Sequence, residues 1–285
     1  MISEQEVERL LLQLLQDTVY EGKTYAVGGY VRDEILCVQS KDLDIVVEIE
    51  GGAQGLCSLI HDKFPSETSN PHPLGAGYPI WHLVFNDDID YYGGLYLTKG
   101  AEIEVADTMA EIFPDETSRQ RKVVFASLRD DILRRDFTVN MLTKDLSTGE
   151  IKDFTNLRAI NDINDGVLQH ISIEHLRKSI IDDPLRMVRL VRFASKYQWR
   201  IPNEVASEVI SNSDRIQIVA IERVMEELKK LMEIGRLYQG ILLMDSLNLL
   251  VHILPQIYTM NGVLHNNPIN HHEGDVWTHT MHVLR

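Results

Sequence analysis

Tyr25 to Glu48 reads Y-A-V-G-G-Y-V-R-D-E-I-L-C-V-Q-S-K-D-L-D-I-V-V-E, and its punctuation decides the fold. A short apolar run, Tyr25-Ala26-Val27, ends in Gly28-Gly29. Tyr30 to Leu36 follows as a helical run carrying Arg32 and Asp33. Lys41-Asp42-Leu43-Asp44 then opens a second apolar run, Ile45 to Val47. The order predicts strand, glycine turn, helix, loop, strand.

The chemistry of such a unit follows from its side chains. Residues two apart on a strand share a face, so Asp42 and Asp44 project together while Leu43 faces the core. Paired carboxylates repel unless a cation sits between them, and hard oxygen donors suit Mg²⁺. Gly28-Gly29 lets backbone N–H groups approach an anion closely, and the helix start behind it favours negative charge. Taken singly, these are also what a tight turn and a solvated strand end look like. In this order they form the equipment for nucleotidyl transfer by two metal ions.

The whole chain of 285 residues sets the bounds. The length allows two domains of ordinary size or three small ones, and 44% hydrophobic with 25% charged residues is the balance of a globular protein. Cys37 and Cys57 are too few for a disulfide framework and form no zinc-binding spacing, which fits a reducing, cytoplasmic setting. Met1 to Leu15 lacks the basic start of a signal peptide, and no apolar run is long enough to span a membrane. The net charge of −15 argues against a general nucleic-acid coat. Local clusters decide contacts, however, and basic residues gather at Arg119–Arg135 and Arg177–Arg200.

Further along, Ile80 to Phe85 and Ala101 to Ala106 read as strands. Glu102 and Glu104 share one face of the second, and Glu104 is the expected third carboxylate beside Asp42 and Asp44. Phe113 to Val123 reads as a mobile loop. The stretch Arg134-Arg135-Asp136-Phe137-Thr138-Val139-Asn140 sets an arginine, an aspartate and an asparagine within a turn or two of helix. Such a group can pair internally and present a ribose-binding edge, and an arginine pair can hold a triphosphate. Lys144 to Phe154 reads as a hairpin. From Asn156 the pattern is helical. Within it, Asp182-Asp183-Pro184-Leu185-Arg186-Met187-Val188-Arg189 starts a helix with Pro184 at its first position. Asp183 and Arg186 together offer an acceptor and a planar donor fork that can match the edge of a base.

G-G-Y-V-R-D, D-L-D, R-R-D-F-T-V-N and D-D-P-L-R-M-V-R-L-V-R-F-A, in this order, resemble the tRNA nucleotidyltransferases, or CCA-adding enzymes, of the bacterial and eukaryotic class within the polymerase β-like superfamily. The resemblance runs from about Tyr25 to Met232. It implies an α+β nucleotidyltransferase head, a mixed sheet with flanking helices, followed by an all-α neck and body. The expected divisions are a head over 1–155, a helical neck with the base-reading motif over 156–235, and a body over 236–285 that ends in the start of an HD-like domain. It implies a Mg²⁺-dependent enzyme that adds CMP and AMP from CTP and ATP to the tRNA 3′ acceptor end.

Residue by residue, the resemblance gives Asp42 and Asp44 the catalytic metals, while Glu104 as third ligand rests on the strand pattern. Gly28, Gly29, Arg32 and Arg189 would contact the triphosphate, Asp33 bracing the turn with Arg32. Arg135, Asp136 and Asn140 would hold the ribose. Asp183 and Arg186 would read the base, with Asp182, where the family has Glu, orienting Arg186. The alternatives are a poly(A) polymerase or an enzyme adding only CC or only A, and more distantly a non-catalytic RNA-binding module. His265, His271, His272, His279 and His282 crowd a stretch that resembles the opening of an HD phosphohydrolase domain. That domain needs a later His-Asp pair, so the expectation here is a truncated start with no site of its own.

Overall fold

The computed structural model describes residues 3–40, 43–75, 80–112, 122–264 and 274–285. Contacts divide the chain into two compact units, Met1–Ile163 and Asn164–Arg285. The elements of the first are α1 (Ser3–Leu14), β1 (Thr24–Val27), α2 (Gly29–Ile35), β2 (Leu43–Val47), α3 (Gly52–Lys63), β3 (His72–Leu74), β4 (Ile80–Val84), β5 (Ile89–Tyr91), β6 (Gly94–Tyr96), β7 (Glu102–Asp107), β8 (Met109–Ile112), β9 (Lys122–Phe125), α4 (Leu128–Leu133), a 3₁₀ turn (Thr138–Asn140), β10 (Leu142–Asp145) and β11 (Ile151–Asp153). Helix α5 (Arg158–Asp165) crosses into the second.

Seven strands form one mixed sheet in the order β11-β10-β1-β2-β7-β4-β3. Strands β2 and β7 run parallel, and the other neighbours in this sheet are antiparallel. The period-two pattern explains its two faces. Leu43, Ile45 and Val47 of β2 and Ile103 and Val105 of β7 are buried, while Asp44, Glu102 and Glu104 between them are exposed. Burying each aliphatic side chain of that row stabilises the sheet by about 1.5–3 kcal/mol. Helix α3 supplies Ala53, Leu56, Cys57 and Ile60 at helical spacing as a buried stripe. It packs on β2, β4 and β7, whereas α2 packs on β1, β2 and β10.

Three segments differ from the sequence expectation. Pro65 to Pro79 is rich in Ser, Pro and Gly and reads as a loop, yet it holds β3, an edge strand where Pro73 is tolerated because no further strand needs its missing N–H. Asp87 to Gly94 reads as a polar turn region, yet it holds β5 and leads into β6 as a hairpin. Its two-residue turn is Tyr92-Gly93, both with positive φ (51° and 76°), and tyrosine at the first position hid the usual turn signal. The expected loop ends in β9, paired with β8 from Met109↔Phe125 to Ile112↔Lys122. Residues 113–121 of that loop lie outside the described residues.

The start of α5 is tied to the first unit by side chains. Thr155 Oγ1 accepts from Ala159 N (2.8 Å), Asp153 Oδ2 accepts from Ile160 N (3.2 Å), and Thr138 Oγ1 donates to Asp162 Oδ2 (2.5 Å).

Beyond α5 the described elements are helices: α6 (Ile173–Asp182), α7 (Leu185–Tyr197), α8 (Asn203–Ser211), a 3₁₀ turn (Ser213–Ile218), α9 (Ile221–Glu233), α10 (Leu237–Ser246), α11 (Leu250–Ile253), α12 (Pro255–Tyr258) and α13 (Val276–Leu284). Helix α7 is the centre of this unit. Met187, Val188, Leu190 and Val191 are fully buried, and the helix packs on α6, α9 and α10. It ends where Gln198 takes a left-handed conformation (φ 57°). No helix among the described residues is long and apolar enough to cross a membrane.

Candidate active site

Asp44 and Glu104 occupy directly paired positions on β2 and β7, both exposed on the same sheet face. Neighbouring strands are about 4.8 Å apart, so two carboxylates are held side by side. This set of oxygen donors suits a hard divalent cation. Asp42 lies outside the described residues. Among the described residues, no three His, Cys, Asp or Glu side chains cluster in a metal-holding arrangement. Beyond Glu104 the same row continues into His82 on β4, whose Nε2 meets Glu102 Oε2 at 3.1 Å.

The antiparallel register of β1 on β2 pairs Ala26 with Ile45. Continued by one residue it sets Val27 opposite Asp44, so the glycine turn opens at the strand end that carries the acid. Gly28 has φ 66° and ψ −124°, a conformation open only to glycine. A Cβ there would lie 3.1 Å from Arg135 Nη1, which places that guanidinium directly over the turn.

Arg32 lies beneath the turn, 4% exposed. Its Nε and Nη2 meet Asp33 Oδ1 at 2.8 and 2.6 Å, and its Nη1 donates to Asn140 Oδ1 at 2.5 Å. Asn140 Nδ2 in turn donates to Asp136 Oδ1 (2.8 Å), which also accepts from Phe137 N (2.9 Å). The first and third sequence motifs thus form one buried chain of hydrogen bonds. Arg32 braces the turn from inside.

Asp131, 1% exposed, anchors the arginine pair. It takes Arg134 Nη2 on Oδ1 (2.8 Å) and Arg135 Nη2 on Oδ2 (3.0 Å), and Met109 N donates to Oδ1 (3.2 Å). Burial pushes this carboxyl's pKa up, but the charges of Arg135 and Arg134 and their hydrogen bonds outweigh it and hold the pKa below the ordinary value. The R-R-D-F-T-V-N stretch is itself a helix end, a turn and a 3₁₀ turn, shorter in helix than expected. The sequence reading did not assign Asp131 a role. Its spacing of three and four residues from the arginines was the available signal.

In the second unit Asp183 caps the C-terminus of α6 and precedes Pro184, the N-cap of α7. Its Oδ1 accepts from Leu185 N (3.3 Å) and from Arg223 Nη1 (3.3 Å), and its Oδ2 accepts from Arg223 Nη2 (3.0 Å). Arg186 Nη1 donates to Ser179 Oγ. Asp182, half-buried, ends α6. Arg189 Nη1 faces Glu227 Oε1 at 3.8 Å, and Arg192 Nε bonds Glu227 Oε2. Glu227, 3% exposed on α9, also meets Lys230 Nζ at 3.7 Å. Arg223 and Glu227 lie in I-E-R-V-M-E-E-L-K-K-L-M (Ile221 to Met232), a stretch that resembles the family's next motif, but neither had an individual role in the sequence, since contacts with other helices leave no local pattern. Of the C-terminal histidines, His279 and His282 lie on α13, which Asp275 caps by accepting from Thr278 N (2.8 Å). His265, His271 and His272 lie outside the described residues.

A mixed sheet presenting acids on neighbouring central strands beside a glycine turn, followed by a helical unit, defines the nucleotidyltransferase head-and-body class of fold. The chain belongs to the Poly A polymerase head domain family, whose model matches residues 24–169. A second model, described as the probable RNA and SrmB-binding site of polymerase A, matches residues 200–260. The chain is 32% identical over 213 residues to the mitochondrial CCA tRNA nucleotidyltransferase of Saccharomyces cerevisiae, covering 72% of this chain and 37% of the relative. It is 26% identical over 276 residues to poly(A) polymerase I of Salmonella typhi, covering 92% and 54%. Among solved structures, the Thermotoga maritima CCA-adding enzyme complexed with tRNA shares the fold at TM-score 0.64 and 24% identity, covering 88% of this chain and 52% of that one. The chain therefore spans between about a third and about half of the length of these relatives.

Proposed function

We propose that this chain carries the catalytic head and base reader of a tRNA nucleotidyltransferase, which adds CMP and AMP from CTP and ATP to a tRNA 3′ end. The observation that carries the reading is the pairing of Asp44 with Glu104, exposed on one face at the strand end where the Gly28 turn opens. Membership of the family and the tRNA named for the Thermotoga relative support the substrate class.

In the reaction, the tRNA 3′-hydroxyl oxygen bonds to the α-phosphorus of the nucleotide. The bond from that phosphorus to the bridging oxygen of the β-phosphate breaks, and pyrophosphate leaves with the electron pair. Asp42 and Asp44 assist removal of the hydroxyl proton. Asp42, Asp44 and Glu104 would hold Mg²⁺, which would supply charge neutralisation at the phosphate. The exposed carboxylates of Asp44 and Glu104 fit a hard cation by donor type and by their side-by-side placement. Gly28 and Gly29 admit the triphosphate against the backbone, under the Arg135 guanidinium, with Arg32 and Asp33 bracing the turn. Arg135, Asp136 and Asn140 hold the ribose. In the second unit Asp183 and Arg186 read the base, Asp182 orients Arg186, and Arg189 meets phosphate.

The experiment is incubation of the purified chain with tRNA ending at its discriminator base, with CTP alone, ATP alone or both, followed by 3′-end sequencing. CC with CTP and CCA with both nucleotides are the expected products. The similarity to poly(A) polymerase I favours a second reading, and long A tails from ATP alone would establish it in place of the first.

A further inference from the structure

We propose that Glu102 receives the 2′-hydroxyl of the RNA's terminal ribose, held for it by His82 as a positioning residue, so that the chain selects a ribose over a deoxyribose 3′ end. The inference rests on the reading of the Asp44–Glu104 row as the site of nucleotidyl transfer. Strand register sets one line of side chains across four strands: Asp44 on β2, Glu104 on β7, His82 on β4 and His72 on β3. The glycine turn opens on the β1 side of Asp44, and β7 and β4 lie on its other side. The attacking and leaving oxygens of a phosphoryl transfer stand roughly in line. With the triphosphate at the turn, pyrophosphate leaves toward β1, so the attacking hydroxyl arrives from the side of β7 and β4. The terminal ribose then lies over Glu104, Glu102 and His82. Its 2′-hydroxyl is on the carbon next to the one bearing the attacking oxygen, within one strand spacing of about 4.8 Å.

Glu102 is the acceptor on that side. Its side chain is 64% exposed and shares a face with Glu104. His82 Nε2 donates to Glu102 Oε2 at 3.1 Å, reaching diagonally, since the register partner of His82 is Glu104. This takes one of the carboxylate's roughly four acceptor directions. A hydroxyl donating to another makes a charge-assisted bond, and a deoxyribose has no donor to offer. The imidazole is otherwise a burden on the fold. Its side chain is 14% exposed, and Nδ1 is buried with no partner among the described residues. Buried polar atoms nearly always find a partner, so a ring kept without one is kept for what its other nitrogen does. His72 packs edge-on against it, the ring centroids 5.2 Å apart and the planes at 78°, which limits its rotation.

The test compares the 285-residue chain with Glu102→Ala, His82→Phe and His82→Gln. Two tRNAs ending at the discriminator base are used, identical but for a terminal 2′-deoxyribose in one. The readouts are kcat/KM for each tRNA with CTP, equilibrium binding of each tRNA, and thermal melting. The unsubstituted chain is expected to prefer the ribose end at least about tenfold, the low end for a hydrogen bond to a charged group. Glu102→Ala should bring the two ends level. His82→Phe keeps a ring without its nitrogens and should lower the preference while melting at or above the unsubstituted temperature, the reverse of a merely structural role. His82→Gln returns a donor to Glu102 and should recover part of the preference. Equal use of both ends by the unsubstituted chain overturns the inference and leaves the proposed activity standing. So does an equal loss on both ends in Glu102→Ala, or a full preference in His82→Phe. A raised Mg²⁺ requirement in Glu102→Ala with the preference intact places Glu102 with the metal and overturns it as well. If the unsubstituted chain transfers no nucleotide, the proposed activity fails. The ratio of the two tRNA affinities, unsubstituted chain against Glu102→Ala, then decides the contact.

Discussion

Asp44 on β2 stands in register with Glu104 on β7, two exposed acids in one row of a parallel strand pair. Like charges directly opposite each other destabilise a sheet. Keeping them together makes sense where a cation is to be held. Glu104→Gln removes one charge and one hard donor. It should lower nucleotide incorporation at least about 10-fold, raise the Mg²⁺ concentration needed for half-maximal rate, and leave the melting temperature equal or higher. A magnesium titration of the incorporation rate checks this, and an unchanged requirement would remove Glu104 from the metal set.

Gly28 supplies a second expectation. Its φ of 66° and ψ of −124° strain any side chain, and a Cβ would press on the Arg135 guanidinium at 3.1 Å. Gly28→Ala should cost about 1–3 kcal/mol of stability. It should also raise KM for CTP by displacing Arg135 from the turn. Urea unfolding and steady-state kinetics on one preparation separate the two effects, and wild-type values in both would contradict the placement.

Arg32 is a buried cation whose charge is answered by Asp33 and whose Nη1 donates to Asn140 Oδ1. Asn140→Ala leaves that donor without its acceptor. The loss should be about 1.5–3 kcal/mol, the range for a hydrogen bond to a charged group. A chemical-denaturation midpoint equal to wild type would show that the link carries no weight.

The Asp131 cluster predicts a pH dependence. Its carboxyl pKa lies below the ordinary 3.8, so the cluster stabilises the fold above that value. The contribution is lost as pH falls through the lowered folded pKa. Asp131→Asn should therefore destabilise at neutral pH by about 3 kcal/mol, the low end for a broken buried pair because Arg134 and Arg135 keep some exposure. The gap between variant and wild type should narrow as the pH drops below about 4. Thermal melts across that range test it; a gap that widens in acid would reverse the sign.

Much of the head was legible because its strands alternate cleanly. Leu43-Asp44-Ile45 and Ile103-Glu104-Val105 announce strand, buried face and exposed acid together. The Gly28-Gly29 break marked the turn for the same local reason. The hydrogen-bonded chain from Arg32 through Asn140 to Asp136 was not legible, because it joins residues more than a hundred positions apart. The partners of Arg223 and Glu227 were not legible either, since they lie on other helices. The edge strand at His72–Leu74 was hidden by its proline, and the side-chain ties from Asp153, Thr155 and Thr138 into α5 leave no local pattern.

The most direct measurement is 3′-end sequencing of tRNA incubated with CTP and ATP and either the unsubstituted chain or Asp44→Asn. The account predicts CCA ends from the first. From the second it predicts ends that stay at the discriminator base, with the fold intact by circular dichroism. Equal CCA addition by Asp44→Asn would contradict it.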